Sequence, residues 1–414
     1  MKAGDTVGGY TLLEDFRVVG AGLSEWTFAV RDGREYFLKR FLSPTYPDDA
    51  APGSAATKAR KRAKCAAFES HHRGIAAALA PITSYGGNLI ATLDFFRDGA
   101  KYYKVTEKVD PAGLDTKGIA RLDFSVRMVL LKTVAHSLKI LHDMDIVHSD
   151  LKPSNVLVKQ TELGYTTKLI DFDSSYIVGS PPPPDEIVGT MNYYSPELVR
   201  YIQGAADGAE LTAASDIFAL GLIYTEYLTG SLPPFDPAYR EAAIAVLNGA
   251  RLAPPPASTP ESIAALVQKM LLADPAARPT IEQVHATLMG WRSGAATTAA
   301  PLRLPPPRST SPRSTPPGST PPRSTPPVIG AADAASSLRG KGLRLADTGS
   351  RTAVRTFAVP AVGRTAAPAH PEAPVPDRER TAAVSPELPA AGPGAGFGRL
   401  VGKLLDRLAE RRSR

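Results

Sequence analysis

Large aromatic side chains all but stop at one point in this chain, and that limits what it can fold into more than any other feature. Of its 29 Phe, Trp and Tyr residues, only Phe357 and Phe397 follow Ser293. The prolines divide differently, with 19 of the 39 lying beyond the same point. A segment with so few large apolar groups cannot bury enough surface to offset the entropy of ordering it. At about 100 to 200 residues per domain, 414 residues could form two folded units or one large one with appendages. The aromatic boundary favours the second: a globular part over 1–292 and mostly a tail over 293–414.

Charge follows the same division. The net charge is +7, yet the tail alone has 18 Lys or Arg against 8 Asp or Glu, leaving 30 against 33 for the rest. The folded part is close to neutral, which argues against nucleic acid as a partner, and the basic tail suits an acidic partner or an anionic membrane. Cys65 is the sole cysteine, which excludes a disulfide framework and a Cys-based zinc site. MKAGDTVGGY has no signal-peptide apolar core, and no stretch reaches the roughly 18 apolar residues of a spanning helix. The expected location is the cytoplasm.

From Tyr10 to about Val109, short β-branched and aromatic runs alternate with Gly and Asp: YTLLEDFRVVG, EWTFAV, EYFLKRF, LIATLDFF and KYYKVTEKV. They predict about five strands of a largely antiparallel sheet. Between the third and fourth, the Ala-, Lys- and Arg-rich stretch from Ala55 to Ala80 predicts a helix. After Asp110 the pattern turns helical, with Val126, Val129, Leu130, Val134, Leu138 and Leu141 at helical spacing. The short strand-like pieces NVLV and TKLIDF follow, then further helices. A small β-rich lobe (1–109) before a larger helical lobe (110–292) leaves a cleft, where ligands usually bind.

HSDLKPSNVLV supplies a carboxylate (Asp150), a lysine two residues on (Lys152) and an amide (Asn155), and Asp171 follows in LIDFD. That set suits phosphoryl transfer. One carboxylate orients a hydroxyl and accepts its proton, while the amide and the second carboxylate hold magnesium against phosphates.

With these residues the chain resembles the eukaryotic-type serine/threonine protein kinases, including bacterial ones, over about residues 10–290. The resemblance implies an α+β, two-lobed kinase fold that binds ATP and Mg2+ and acts on protein substrates. Gly20 and Gly22 in VVGAG resemble the start of the loop over the ATP phosphates, and Lys39 in YFLKRF the strand lysine that contacts them. Its expected acidic partner is Glu69, the one carboxylate between Ala50 and Leu93. KYYKVTEKV aligns with the adenine-contacting strand, putting Thr106 at the back of the pocket, Glu107 and Val109 at the base edge, and Val19 and Leu157 on its two faces. GTMNYYSPE resembles the end of the activation segment. It implies Thr190 near Asp150 and Lys152, and Glu197 paired with Arg278. Asp216 in SDIFALG is the implied brace behind the catalytic loop, and Lys152 in DLKPSN is the form that goes with aliphatic hydroxyl acceptors.

Four positions depart from the family pattern. The third glycine of the phosphate loop is missing near Glu25 and Trp26, and Asp173 replaces the glycine after Phe172. Ser149 replaces the arginine before the catalytic aspartate, and Arg73 stands where an apolar residue usually packs against Phe172. Two other functions compete with the active kinase. A pseudokinase scaffold usually lacks one of Lys39, Glu69, Asp150, Lys152, Asn155 or Asp171. A small-molecule phosphotransferase of the aminoglycoside type lacks the Ser-Pro-Glu segment and its arginine.

The tail suggests interaction. Ser-Thr-Pro-Pro begins at Ser314, Ser319 and Ser324, a solvated repeat expected within a disordered stretch over 293–395. These repeats, or Thr352, Thr356 and Thr365, could be phosphorylated and read by phosphothreonine-binding domains. Over 396–414 a basic amphipathic helix is expected, docking on the kinase or a partner helix, or lying on an anionic membrane.

Overall fold

The computed structural model describes residues 1–19, 24–48, 52–83 and 86–291. Gly20, Gly22, the side chain of Val19, the tail repeats and the 396–414 helix lie outside the described residues. Among the described residues, no helix is long and apolar enough to cross a membrane.

The N-terminal lobe is built on one antiparallel sheet: β1 (Thr6–Val7), β2 (Tyr10–Leu12), β3 (Arg17–Val19), β4 (Ser24–Arg31), β5 (Arg34–Phe41), β6 (Asp94–Asp98) and β7 (Lys101–Glu107). Its order is β1-β2-β4-β5-β7-β6, with β3 also on β4. YTLLEDFRVVG is not one strand but two, each pairing with a different half of β4. The chain between them bends at Leu13–Phe16, where the Thr27 hydroxyl donates to the Glu14 carbonyl at 2.7 Å. This division and the added β1 make seven strands where the sequence pattern predicts five. Helix α1 (Ala55–Leu79) starts at Ser54, whose hydroxyl accepts from the Thr57 N–H. It turns Cys65, Phe68 and His72 onto one sheet face, against Phe41, Phe95 and Tyr102.

The C-terminal lobe is mainly helical: α2 (Thr116–Ala120), α3 (Phe124–His142), β8 (Ile146–Val147), β9 (Val156–Thr161), β10 (Gly164–Leu169), β11 (Tyr176–Ile177), α4 (Pro196–Ile202), α5 (Ala214–Thr229), α6 (Ala242–Leu247), α7 (Glu261–Met270) and α8 (Ile281–Gly290). Every α5 residue from Ser215 to Leu228 is buried, the polar Ser215, Asp216, Thr225 and Glu226 among them. Fully burying each of its large side chains, such as Phe218, Leu222 and Ile223, stabilises by roughly 1.5–3 kcal/mol. The helix ends at Gly230, whose φ of 85° is left-handed and costs glycine little. Because α5 is fixed on all sides, a polar group on it is a rigid anchor, and it carries Asp216.

Candidate active site

The loop between β8 and β9 is held by that anchor. The Asp216 carboxylate accepts the backbone N–H groups of His148 at 2.7 Å and Ser149 at 2.9 Å, and lies 3.0 Å from His142 Nε2. Ser149 has φ 68° and Asp171 φ 63°, a region non-glycine residues seldom occupy unless their surroundings fix them. Fixed in this way, the loop projects Asp150. Lys152 Nζ donates to its carboxylate at 2.6 Å, and Asn155 Nδ2 to its carbonyl at 2.7 Å and its carboxylate at 3.0 Å. Lys152 also donates to Thr190 Oγ1 at 3.2 Å. The Ile170 N–H donates to the Asn155 carbonyl at 3.0 Å, tying the strand before Asp171 to the same loop. Asp150, Lys152, Asn155 and Thr190 are thus joined directly, and Asp171 enters from the adjoining strand end.

Behind this loop, Arg278 grips Glu197 through two bonds of 2.8 Å, with the paired side chains 0% and 1% exposed. Ser215 Oγ donates to Glu197 as well, at 2.9 Å, and Arg278 also donates to the carbonyls of Leu272, Ala273 and Ala214. The pair pins the end of the 171–197 segment to the helical lobe.

On the sheet side, Lys39 in β5 donates to Asp171 at 3.0 and 3.2 Å and to Asp173 at 2.7 Å. The expected Lys39–Glu69 ion pair is not formed. Glu69 instead accepts from the Tyr102 hydroxyl at 2.7 Å, because α1 presents it to the aromatic end of the sheet face. One turn further on, toward the lysine, stands His72. Arg73 places its guanidinium 5.7 Å from the Phe95 ring centre, while Phe172 packs on the His148 ring.

The sequence reading missed Lys104, which lies directly opposite Lys39 on β7. It is buried, donates to Asp171 at 3.2 Å and bonds Asp173. A detectable signal was present, because in KYYKVTEKV strict alternation puts Lys104 on the inward face with Tyr102. Burial disfavours charge on both Lys39 and Asp173, but their mutual attraction outweighs it. Lys39 stays above the usual lysine range, and Asp173 well below the carboxylate range, held there by Lys104 first and then Lys39.

Farther along β7, Thr106 is half-buried and donates to the Glu107 carbonyl at 3.4 Å. The Glu107 carboxylate accepts from the Gly86 N–H at 2.6 Å. Val109 and Leu157 are half-buried, and the backbone of Val19 ends β3.

The donor set can be tested against a metal. With Asn155 Nδ2 committed to Asp150, its Oδ1 is the amide atom left to accept, and Asp171 adds a carboxylate. Both are hard oxygen donors. One or two such side chains, completed by water and phosphate oxygens, is the way magnesium is usually bound. Among the described residues no group of three or more His, Cys, Asp or Glu is placed to hold a metal.

A family model described as the protein kinase domain matches residues 76–288. The chain belongs to that family. Among curated proteins it is 33% identical over 153 residues to the serine/threonine-protein kinase PknA of Corynebacterium glutamicum, covering 36% of this chain and 29% of that one. It is 32% identical over 202 residues to the Aurora/IPL1-related protein kinase 2 of Caenorhabditis elegans, covering 48% and 61%. To the serine/threonine-protein kinase PkaA of Streptomyces coelicolor it is 32% identical over 160 residues, covering 38% and 27%. The matched segments therefore span 27% to 61% of these relatives' own length.

Proposed function

We propose that the chain phosphorylates Ser and Thr hydroxyls of protein substrates with ATP, as a signalling enzyme. The observation that carries this reading is Asp150, bound by Lys152 and Asn155 on a loop clamped by Asp216. Asp150 orients the substrate hydroxyl and takes its proton as the oxygen bonds to the terminal phosphorus. The bond to the bridging oxygen breaks, and ADP leaves. Lys152 sets its charge against the transferring group, a role its contact with Thr190 supports. Lys39 faces the phosphates, while Val19, Gly20, Gly22, Thr106, Glu107, Val109 and Leu157 enclose the nucleotide. Asn155 and Asp171 would hold Mg2+, which when bound neutralises charge building on the phosphates. Glu69 is not given a part in this machinery, because Tyr102 occupies it.

The Glu197–Arg278 clamp favours a protein acceptor over a small molecule, since it serves the segment beside which a peptide would lie. Transfer of labelled phosphate to casein is expected, and Asp150→Asn should lower kcat by about 10²–10⁴ with folding intact. Equal labelling by the variant would favour the scaffold reading, and faster transfer to an antibiotic or sugar than to any peptide would favour the small-molecule one. For the tail we propose autophosphorylation at the Ser-Thr-Pro-Pro repeats. Mass spectrometry of ATP-treated protein with no phosphate beyond Ser293 would remove that idea.

A further inference from the structure

The inward sheet face behind the proposed phosphate site has two ends. At one, Phe41 and Tyr102 are paired across β5 and β7. At the other, Lys39 and Lys104 are directly opposed. Like charges facing each other across strands destabilise a sheet unless something neutralises them. Helix α1 cannot do so, because Glu69 is spent on Tyr102 at the aromatic end. His72, which α1 brings to the lysine end, is buried against Phe41, Phe68 and Phe95.

Neutralisation comes from the segment after β10. Asp171 and Asp173, two residues apart, each contact both lysines, giving a square of two cations and two anions. Of the two carboxylates, Asp173 is the less exposed, at 18% against 30%. It also makes the shorter bond to Lys39, 2.7 Å against 3.0 Å. Its backbone is fixed too, since the carbonyl lies 2.9 Å from His71 Nε2. Asp171, the more exposed of the two at 30%, is the one given to the metal above. The Asp173 carboxylate contacts Lys39, Lys104 and His72.

We propose that Asp173 is the positioning residue for Lys39 in this chain, with Lys104 as its counter-cation, in the place the sequence assigns to Glu69. In this arrangement the carboxylate that aims the phosphate-facing lysine is carried by the same segment as the metal-facing Asp171. Moving that segment would displace the metal ligand and release the lysine in one step. The proposal rests on the kinase reading of the site, so its test has one arm without nucleotide and one with it.

In the first arm, unfolding of the full chain in denaturant is followed without nucleotide for Lys39→Met, Asp173→Asn, Glu69→Gln and the two doubles that contain Lys39→Met. The Lys39–Asp173 pair should be non-additive by at least tenfold in the unfolding equilibrium constant, and the Lys39–Glu69 pair additive within about twofold. In the second arm, phosphate transfer to a peptide is measured. Asp173→Asn should lower kcat at least tenfold with the peptide KM changed less than threefold, a split that general loosening of the fold would not give. Glu69→Gln should lower kcat less than threefold.

A tenfold or greater kcat loss in Glu69→Gln, or coupling of Lys39 to Glu69 in the first arm, overturns the proposal. Should Asp173→Asn fail to fold, Glu69→Gln still decides, because it is isosteric and keeps an acceptor for Tyr102. If the native chain transfers no phosphate, the kinase reading fails, while the first arm still reports which acid holds Lys39.

Discussion

The two walls of the cleft hold their charges by different means. On the helical wall each polar group has its own partners: Asp216 serves two backbone N–H groups, Glu197 is gripped by Arg278, and Asp150 is bound by Lys152 and Asn155. On the sheet wall four charged side chains from β5, β7 and the segment after β10 share their partners. The family match begins at residue 76, near the end of α1, and so covers the first wall but not the Lys39 strand of the second. A wall of dedicated pairs fixes geometry residue by residue. A wall of pooled charge needs only to stay neutral, so an acid from one element can replace an acid from another.

This contrast can be broken by removing one member on the helical wall. Arg278→Ala leaves Glu197 buried without its cation, together with the acceptors Arg278 had satisfied. Stranding one partner of such a pair costs about 3–5 kcal/mol. Chemical denaturation should show a loss of that size, and a loss below about 1 kcal/mol would mean that the pair is not the fixed point described here.

The sheet wall gives a smaller and pH-dependent effect. Burial, opposed by the Asp173 charge and aided by Lys104, His71 and Lys39, lowers the His72 imidazole from 6.5 to about 3. The unfolded chain takes up a proton below about pH 6.5, and the folded chain does not until near pH 3. Stability from this group is therefore complete above pH 6.5 and falls as the pH drops. Between pH 7 and 5 the loss amounts to about 2 kcal/mol. Asp173 adds a loss of the same sign only at lower pH, as the pH falls through the ordinary carboxylate range, since its folded carboxyl is held well below that range. His72→Phe, which keeps a ring among Phe41, Phe68 and Phe95, should flatten the melting temperature between pH 7 and 5. An unchanged slope would show that His72 is protonated in the folded state and belongs to the charge pool.

The helical wall was the more legible of the two in the sequence. HSDLKPSN, SPE and Asp216 each carry a chemically distinctive residue in a short motif. The contacts of Asp150, Glu197 and Asp216 are those the family resemblance implies, even though Glu197 meets Arg278 and Asp216 meets Ser149 from far along the chain. Lys39, too, could be found from its strand. Its partner could not, because the choice between Glu69 and Asp173 depends on which sheet end each turn of α1 meets, a matter of helix rotation that spacing alone leaves open. Asp173 could be read as a lost glycine and Lys104 as an ordinary strand lysine. Only the cross-strand register, Lys39 opposite Lys104, shows that each explains the other. The division of YTLLEDFRVVG into β2 and β3 was hidden for a similar reason, since both halves carry strand-like residues and the bend is set by pairing with β4.

The smallest effect is expected from phosphorylation of the 171–197 segment. An arginine before Asp150 would offer a receptor for a phosphate there, but the position is Ser149, whose N–H is taken by Asp216. Ser175 is fully buried, its hydroxyl donating to the His148 carbonyl at 3.2 Å, and so is closed to modification in this fold. Ser174 donates to the Val188 carbonyl at 3.3 Å, and Thr190 already accepts from Lys152. The loop around Asp150 is thus assembled by Asp216, Lys152 and Asn155 without an added charge. Protein made with and without prior ATP incubation should phosphorylate a peptide at equal initial rates. A pronounced lag abolished by preincubation would show that the helical wall, like the sheet wall, needs a charge from outside its own pairs.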